Sequence, residues 1–239
     1  SSAEWIKEDE IYIKVNERDY IHLYRYDLQD ETFEKIDLEV EVLGQVDFAK
    51  SEPYAVYTGT SITSPEELYH LNLKKEESEL LDQPEKMQNI QLGNTKEWNF
   101  TNKDGNTIYG RVYYPPNYNE EKKYPVIVYY YGGTSPVERS FGGRYPKNAW
   151  AAKDYIVYVL QPSGATGFGQ DFSALHVKGW GKQQTDDIIE GTQKFLEAHP
   201  SADKNNVGAI GASYGGYTTM FLQTQSDLFK TAISHAGIS

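Results

Sequence analysis

Short stretches in which apolar and polar residues alternate fill the first part of the chain. Alternation of this kind has the period of a half-buried β-strand. It predicts strands at residues 11–15, 20–28, 34–43, 54–59 and 67–73. Short strands separated by polar turns are typical of a sandwich, a barrel or a propeller, and this number corresponds to about one and a half propeller blades.

Residues 76–95 interrupt this pattern of strands. They are rich in charge, poor in aromatic residues, and contain a proline and a glycine. The change predicts a linker that follows a strand-rich segment at 1–75. A long surface loop inside one domain is the alternative. We interpret Glu76, Glu77 and Glu79 as part of a solvated face of this linker.

From residue 96 the pattern changes to strands that alternate with helices. Two almost wholly apolar runs, at 124–131 and 155–160, predict strands that are buried on both faces. The other predicted elements are strands at 97–101, 107–114, 206–211 and 231–235, and helices at 185–198 and 214–224. The alternation indicates an α/β fold with a parallel sheet over residues 96–239.

The charge and the cysteine content narrow the classes of function. The chain has 239 residues with 23 Lys+Arg and 35 Asp+Glu, a formal net charge of −12. This acidity argues against nucleic acid and against an anionic membrane surface as partners. No apolar run approaches the roughly 18 residues of a membrane-spanning helix, and the first residues do not resemble a signal peptide. With no cysteine, metal–thiolate sites and thiol nucleophiles are excluded, and the compartment, cytoplasm or cell envelope, stays open.

The sequence Gly211-Ala212-Ser213-Tyr214-Gly215 matches the pattern G-x-S-x-G. In this pattern a nucleophilic serine lies on a tight turn between a strand and a helix, and the glycines leave room for it. The match falls where a predicted strand meets a predicted helix, so Ser213 is the candidate nucleophile. A glycine-rich turn without catalytic function is the alternative.

Acyl transfer also requires hydrogen-bond donors for the oxyanion. The backbone N–H of Tyr214, directly after the nucleophile, is one candidate. The second donor is expected from the loop after an earlier central strand, where Tyr131-Gly132-Gly133-Thr134 lies. Either the backbone there or the Tyr131 phenol can supply it. Alternatively, Tyr131 is an aromatic residue packed on the core.

In the serine motif and the Tyr131 segment, the chain resembles the prolyl oligopeptidase family of serine peptidases, especially its dipeptidyl-peptidase-like branch. The resemblance covers residues 95–239 by motif and residues 1–75 by strand pattern alone. Four segments carry it: YPVIVYYYGGTSP (124–136), GATGFGQDF (164–172), WGKQQTDD (180–187) and VGAIGASYGGYTTM (207–220).

The resemblance implies a β-propeller packed on an α/β-hydrolase domain, peptide substrates of limited size cut after Pro or Ala, and no cofactor or metal. By position, Ser213 corresponds to the nucleophile, and the Tyr214 N–H and Tyr131 hydroxyl to the oxyanion donors. The chain departs from many members at Ser163-Gly164-Ala165, where they have an Arg-Gly pair. We expect this difference to alter a loop and not the chemistry.

The acid and the base of a catalytic triad are expected after the nucleophile in this fold. Asp227 and His235 are the residues of the right types after Ser213, but the family's acid and base sit on later strand ends. We therefore interpret Asp227 as a loop cap and His235 as a polar strand end. The chain is expected to be an inactive fragment, because it begins within a propeller and ends midway through the catalytic domain. The earlier histidines are expected in blade strands, a loop and a helix end: His22, His70, His176 and His199.

Three further groups of residues suggest chemistry and have simpler interpretations. Gly164–Gly169 lacks the Lys-Ser/Thr of a phosphate-binding loop and opens no clear helix, so it is interpreted as a loop at the edge of the cleft. Asp186 and Asp187 are expected in the first turn of a helix. We interpret them as acidic residues that interact favourably with the helix dipole, and not as a metal site or an acid–base pair. Arg139 and Arg144 are either solvated or ligands for a peptide carboxylate or carbonyl.

Two other classes of function remain open from the sequence. A carboxylesterase or lipase uses the same serine turn, although a simple esterase needs no propeller. The third hypothesis is a non-catalytic binding protein that has kept the fold. A peptide substrate is the expected partner, and the remainder of its own domain or a second copy of the chain is left open.

Overall fold

Eight described strands form the first of two units into which the chain divides. This computed structural model describes residues 3–7, 9–85, 90–179 and 181–238. The first unit consists of Ser1–Ile90 with Glu138–Tyr145, and the second of Gln91–Val137 with Pro146–Ser239. Each unit has its own cluster of buried apolar side chains.

The strands of the first unit form two antiparallel meanders of four strands each. One parallel pair, Ile21 with Val42, joins the two meanders into a single sheet. Four-stranded meanders are the blades of β-propellers, so the described residues form two blades and not the one and a half expected from the sequence. The strands are β1 (Ala3–Lys7), β2 (Glu10–Glu17), β3 (Tyr20–Asp27), β4 (Thr32–Ile36), β5 (Val42–Phe48), β6 (Tyr54–Thr60), β7 (Glu67–Asn72) and β8 (Glu77–Asp82).

Alternation places one face of these strands in the core of the first unit. In β6, Ala55 and Tyr57 are buried while Tyr54 and Val56 are exposed, and the Tyr57 ring stacks on Tyr69 of β7 with ring centroids 5.1 Å apart. The predicted strands at 11–15, 20–28, 54–59 and 67–73 are therefore confirmed, and His22 and His70 lie in blade strands as expected.

Two predictions about the first unit are wrong. The single strand expected at 34–43 is the end of β4 and the start of β5, since residues 37–41 leave the sheet between them. The first part of the linker predicted at 76–95 is strand β8, which pairs with β7 and completes a second four-stranded meander. Strand β8 is an edge strand of the described sheet, and all its side chains except the half-buried Ser78 are exposed. Residues 86–89 of that linker lie outside the described residues.

The second unit contains a mixed sheet of seven described strands in the order β10-β11-β13-β12-β14-β15, with β9 paired to β11. Strands β13, β12, β14 and β15 are parallel, and β11 is antiparallel to β13. The strands are β9 (Thr95–Glu97), β10 (Phe100–Thr101), β11 (Thr107–Tyr113), β12 (Tyr124–Tyr129), β13 (Ile156–Gln161), β14 (Ala202–Ala212) and β15 (Thr231–His235). The helices are α1 (Lys147–Ala151), α2 (Gln170–Ala174), α3 (Lys182–Ala198) and α4 (Tyr214–Gln225).

The predicted α/β sheet is thus present, and all six residues of β13 are buried. Helix α3 packs an apolar face on it, where Phe195 stacks on Tyr158 with ring centroids 4.6 Å apart. This helix begins three residues before the predicted start, at Lys182. The expected place of Asp186 and Asp187 in its first turn is therefore wrong, and the helix dipole does not explain them. Within the described ranges, none of the helices has the length and apolar character that a membrane crossing requires.

Candidate active site

Ser213 occupies the turn between β14 and α4 and is exposed. Its backbone has φ 55° and ψ −116°. A residue with a Cβ atom pays about 1–3 kcal/mol for such a conformation, and residues held in this way cluster at functional sites. Since the sequence places a serine and not a glycine here, the hydroxyl is the group that the strained turn presents.

Two glycines of the motif allow the backbone to turn this sharply. A Cβ atom on Gly211 would lie 2.4 Å from the carbonyl oxygen of Gly215, and one on Gly215 would lie 2.7 Å from the carbonyl oxygen of Tyr131. Real side chains do not approach this closely, so both positions require glycine. The first turn of α4 is consequently in direct backbone contact with the segment after β12.

Tyr131 lies at the same edge of the sheet as Ser213. Strands β12 and β14 are adjacent and parallel, with Tyr129 opposite Ile210, and each candidate residue follows the carboxyl end of its strand. The half-buried Tyr131 ring lies over Gly133, where a Cβ atom would be 2.5 Å from the ring carbon Cε1. The preceding residue, Tyr130, is fully buried in the core, and its hydroxyl shares a hydrogen bond with the Thr219 hydroxyl.

Tyr214 is the first residue of α4, so its backbone N–H belongs to the helix end that has no partner within the helix. Its ring packs against His176 and Tyr217, with centroids 5.1 and 5.6 Å away. Burial raises the pKa of the Tyr214 phenol, and the Tyr217 and Tyr131 phenols add to the increase. The Tyr214 phenol therefore stays protonated at neutral pH. His176 follows α2 in a turn, and His199 ends α3, as expected.

His235 is held next to the nucleophile through its backbone. It ends β15 opposite Ala212, and its carbonyl oxygen accepts a hydrogen bond of 2.9 Å from the Ser213 N–H. Asp227 is exposed in the loop after α4, where the Ser226 hydroxyl accepts the bond from the Leu228 N–H. The cap of that loop is therefore Ser226 and not Asp227. Within the described residues, the hydrogen bonds of Ser213 run through its backbone.

The glycine-rich loop at Gly164–Gly169 lies after β13, the neighbour of β12. Gly164, Gly167 and Gly169 all have positive φ, between 92° and 98°. The expectation that this loop opens no helix is wrong, because the five-residue α2 begins at Gln170 directly after it. One backbone bond of 2.8 Å, from the Thr166 N–H to the Thr134 carbonyl, joins this loop to the segment that contains Tyr131.

Asp187 anchors the start of the same loop. One carboxylate oxygen accepts a bond from the Asn102 side chain (2.7 Å), and the other accepts one from the Ser163 N–H (2.8 Å). Burial raises the pKa of Asp187, and these bonds offset only part of the increase.

Asp186 instead forms ion pairs with Lys103 at 2.7 Å and with Lys182 at 2.9 Å. The two carboxylates are structural groups. No cluster of three or more His, Cys, Asp or Glu able to hold a metal occurs in the part of the chain that is described.

Arg139 differs from both sequence interpretations. It belongs to the first unit and is buried, with 6% of its surface exposed. Its Nε atom donates to Glu41 at 2.8 Å, Nη1 lies 3.5 Å from an Asp19 oxygen, and the guanidinium lies over the Tyr20 ring at 4.4 Å. Arg139 is therefore neither solvated nor placed as a ligand for a peptide. Arg144 is exposed, which agrees with the interpretation that its side chain is solvated.

Sequence reasoning missed the polar side chains that hold the Tyr131 segment. Gln161, at the end of β13, bonds both backbone groups of Val137, and Arg111 of β11 donates to the Val137 carbonyl as well. Both side chains are buried, at 2% and 1% exposure. The sequence carries no clear signal for either, because Gln161 follows the apolar run 155–160 and Arg111 lies between the alternating Gly110 and Val112.

A strained serine between a parallel strand and a helix, with glycines in close contact around it, defines the nucleophile turn of the α/β hydrolases. Two propeller-type blades precede this unit in the chain. Residues 144–239 match the sequence profile described as the prolyl oligopeptidase family. The resemblance inferred from the motifs is confirmed. Trp180, one of the residues in those motifs, lies outside the described residues.

The relatives agree with this assignment. The chain is 28% identical over 207 residues to the "Uncharacterized peptidase YuxL" of Bacillus subtilis. This alignment covers 85% of the chain and 31% of that protein. It is 29% identical over 226 residues to dipeptidyl-peptidase 5 of Porphyromonas endodontalis, covering 91% and 32%. Among solved structures, the acylaminoacyl peptidase of Pyrococcus horikoshii superposes with a TM-score of 0.87 at 27% identity, covering 100% of this chain and 37% of that one.

The chain spans about a third of the length of these relatives. The aligned portion includes both blades and the strand–helix turn with Ser213, since the structural match covers the whole chain. The fold inferred from the sequence, an α/β-hydrolase unit preceded by propeller strands, is that of these neighbours.

Proposed function

We propose that the chain is part of a serine peptidase that cleaves short peptides, after Pro or Ala, through an acyl-enzyme on Ser213. The observation that carries the proposal is the Ser213 turn, with φ 55° at the carboxyl edge of a parallel sheet. The family of residues 144–239 and the names of the relatives support peptides as the substrate class.

In the proposed reaction the Ser213 oxygen attacks the carbonyl carbon of the scissile peptide bond. The hydroxyl proton passes to a histidine base, and the carbonyl oxygen becomes an oxyanion bound by the Tyr214 N–H and the Tyr131 hydroxyl. The C–N bond then breaks as the base returns the proton to the leaving amine, which leaves an ester on Ser213. Water, activated by the same base, hydrolyses this ester and frees the serine.

We further propose that the 239-residue chain is inert without additional residues that supply the acid and the base. The support is that Ser213 makes its hydrogen bonds through its backbone within the described residues, and that His235 meets it through a carbonyl oxygen. A serine hydroxyl without a base is a weak nucleophile. Loss of a triad member leaves only the residual catalysis that binding and the oxyanion donors provide.

A fluorophosphonate probe, followed by intact mass and peptide mapping, tests this proposal. It is applied to the 239-residue chain and to the longer protein that contains it, each as wild type, Ser213→Ala and the control Ser226→Ala. We expect one adduct, on Ser213, in the longer wild type and the Ser226→Ala control, and none in Ser213→Ala or in the short chain. Labelling that persists in Ser213→Ala would reject Ser213 as the nucleophile, and labelling of the short chain would reject its inertness.

The substrate class is tested separately on the longer protein. Prolyl and alanyl peptide p-nitroanilides are compared with p-nitrophenyl esters of short and long acids. A higher kcat/KM on the peptides is expected. Cleavage of the esters alone would support the carboxylesterase alternative, and the absence of turnover on all of them, with an unlabelled Ser213, would support the binding protein.

A further inference from the structure

The segment from Tyr131 to Val137 is irregular, so its backbone polar groups have no ladder of a sheet to bond. Buried backbone groups of this kind need partners elsewhere. At Val137 the partner is a side chain: the Gln161 Oε1 atom accepts from the Val137 N–H at 2.8 Å, and its Nε2 atom donates to the Val137 carbonyl at 2.8 Å. The amide of Gln161 thus replaces the two bonds that a neighbouring strand would make.

Other contacts hold the same segment from the sides. The Arg111 Nη2 atom donates to the Val137 carbonyl at 2.9 Å, and the Thr166 N–H donates to the Thr134 carbonyl at 2.8 Å. The segment is therefore held at Thr134 and Val137, while its first residue, Tyr131, touches the turn of the nucleophile. Gln161 is the member of this set that ends a fully buried central strand, which makes it a rigid point of attachment.

We propose that Gln161 is a positioning residue that holds the segment 131–137 so that the Tyr131 hydroxyl reaches the oxyanion. The inference rests on the proposed function, in which Tyr131 is an oxyanion donor. Its physical basis is that an oxyanion donor acts only within a narrow range of distance, so a displacement of about 1 Å can cost on the order of 100-fold in rate. An irregular loop maintains that range only if its backbone is fixed to a rigid element.

The test is a double-mutant cycle in the longer protein, read out as the second-order rate constant of Ser213 with the fluorophosphonate probe. This readout does not depend on knowing the substrate. The variants are Gln161→Met, which keeps the length of the side chain and removes both bonds, Tyr131→Phe, which removes only the hydroxyl, and the pair together. Gln184→Met is the matched control, because Gln184 is also fully buried and donates to a backbone carbonyl, that of Ser163.

We expect Gln161→Met to lower the rate constant about 10- to 100-fold in the wild type and less than about threefold in Tyr131→Phe, since the two changes remove the same interaction. The control is expected to stay within about threefold. Should Gln161→Met fail to fold, as judged by thermal unfolding, Gln161→Glu replaces it. Glutamate keeps the shape and the acceptor for the Val137 N–H but sets a carboxylate oxygen against the Val137 carbonyl oxygen, so a loss at least as large with the same non-additivity is expected.

Additive losses in the cycle, or equal losses in Gln161→Met and Gln184→Met, would overturn the positioning role. The failure of the proposed function gives a different result. In that case Ser213→Ala would still be labelled, or Tyr131→Phe alone would leave the rate constant unchanged.

Discussion

The Ser213 N–H donates a hydrogen bond of 2.9 Å to the carbonyl oxygen of His235. This bond joins the turn of the nucleophile to β15, the neighbour of β14. It also occupies the N–H of the nucleophile itself. The N–H of Tyr214, the first residue of α4, has no partner within the helix and remains the predicted oxyanion donor.

Gly215→Ala is expected to destabilise the second unit by about 1–3 kcal/mol, the usual cost of forcing extra atoms into a packed site. Its Cβ atom would lie 2.7 Å from the Tyr131 carbonyl oxygen, although alanine otherwise favours a helix. Gly179→Ala is the control, because its Cβ atom would meet its nearest neighbour at 3.4 Å. Urea unfolding measures both, and an equal stability of the two variants would contradict the close contact.

Gly133→Ala is expected to move the Tyr131 ring, since the new Cβ atom would lie 2.5 Å from the ring carbon Cε1. If the Tyr131 hydroxyl is an oxyanion donor, the probe rate constant of the longer protein falls by about tenfold or more. Gly142→Ala serves as the control in the same measurement, because its Cβ atom would lie in open space. A full rate in Gly133→Ala would argue against the oxyanion role of Tyr131.

Asp187 gives a pH dependence of stability whose sign follows from its burial. Its pKa is raised in the folded chain, so in the range between about pH 4 and the native pKa the folded state binds more protons than the unfolded state. The contribution of this group is therefore greatest below that range and is lost as the pH rises through it. Asp187→Asn removes the titration. The melting temperature of the wild type minus that of Asp187→Asn is expected to decrease from pH 4 to 7, and a constant or increasing difference would reject the assignment.

Arg139→Ala is expected to destabilise the first unit by about 3 kcal/mol, because it leaves the carboxylates of Asp19 and Glu41 without their shared buried cation. Arg144→Ala removes the same charge from an exposed position and is expected to change stability by less than about 0.5 kcal/mol. The urea midpoint of the first unit's unfolding is the measurement. Similar midpoints for the two variants would show that the buried pairs contribute little.

The parts of the fold that the sequence predicted are those where local pattern and burial coincide. The apolar run of β13 and the strand–helix turn at Ser213 are visible because each depends on neighbouring residues in the chain. The helix α3 was also found, but not its first turn, since Lys182 to Gln184 are polar and begin the helix after Gly181, which has φ 82°. A helix start that is set by a glycine turn and followed by polar residues cannot be located from the pattern of apolar residues.

The features that the sequence did not predict depend on residues far apart in the chain. Arg139 is buried by Asp19 and Glu41, which lie about a hundred residues earlier, so nothing near it indicates an ion pair. Likewise Gln161 bonds Val137, 24 residues away. A buried polar residue needs some hydrogen-bond partner. The fold is needed to identify which one.

The strained backbone of Ser213 implies a conflict between durability and reactivity at one residue. Glycine adopts φ 55° without the steric cost that serine bears, so Ser213→Gly relieves a strain of about 1–3 kcal/mol while it removes the hydroxyl. Under the proposed function, the more stable variant would be the one that has lost its nucleophile. Selection for thermal stability alone would favour glycine at position 213.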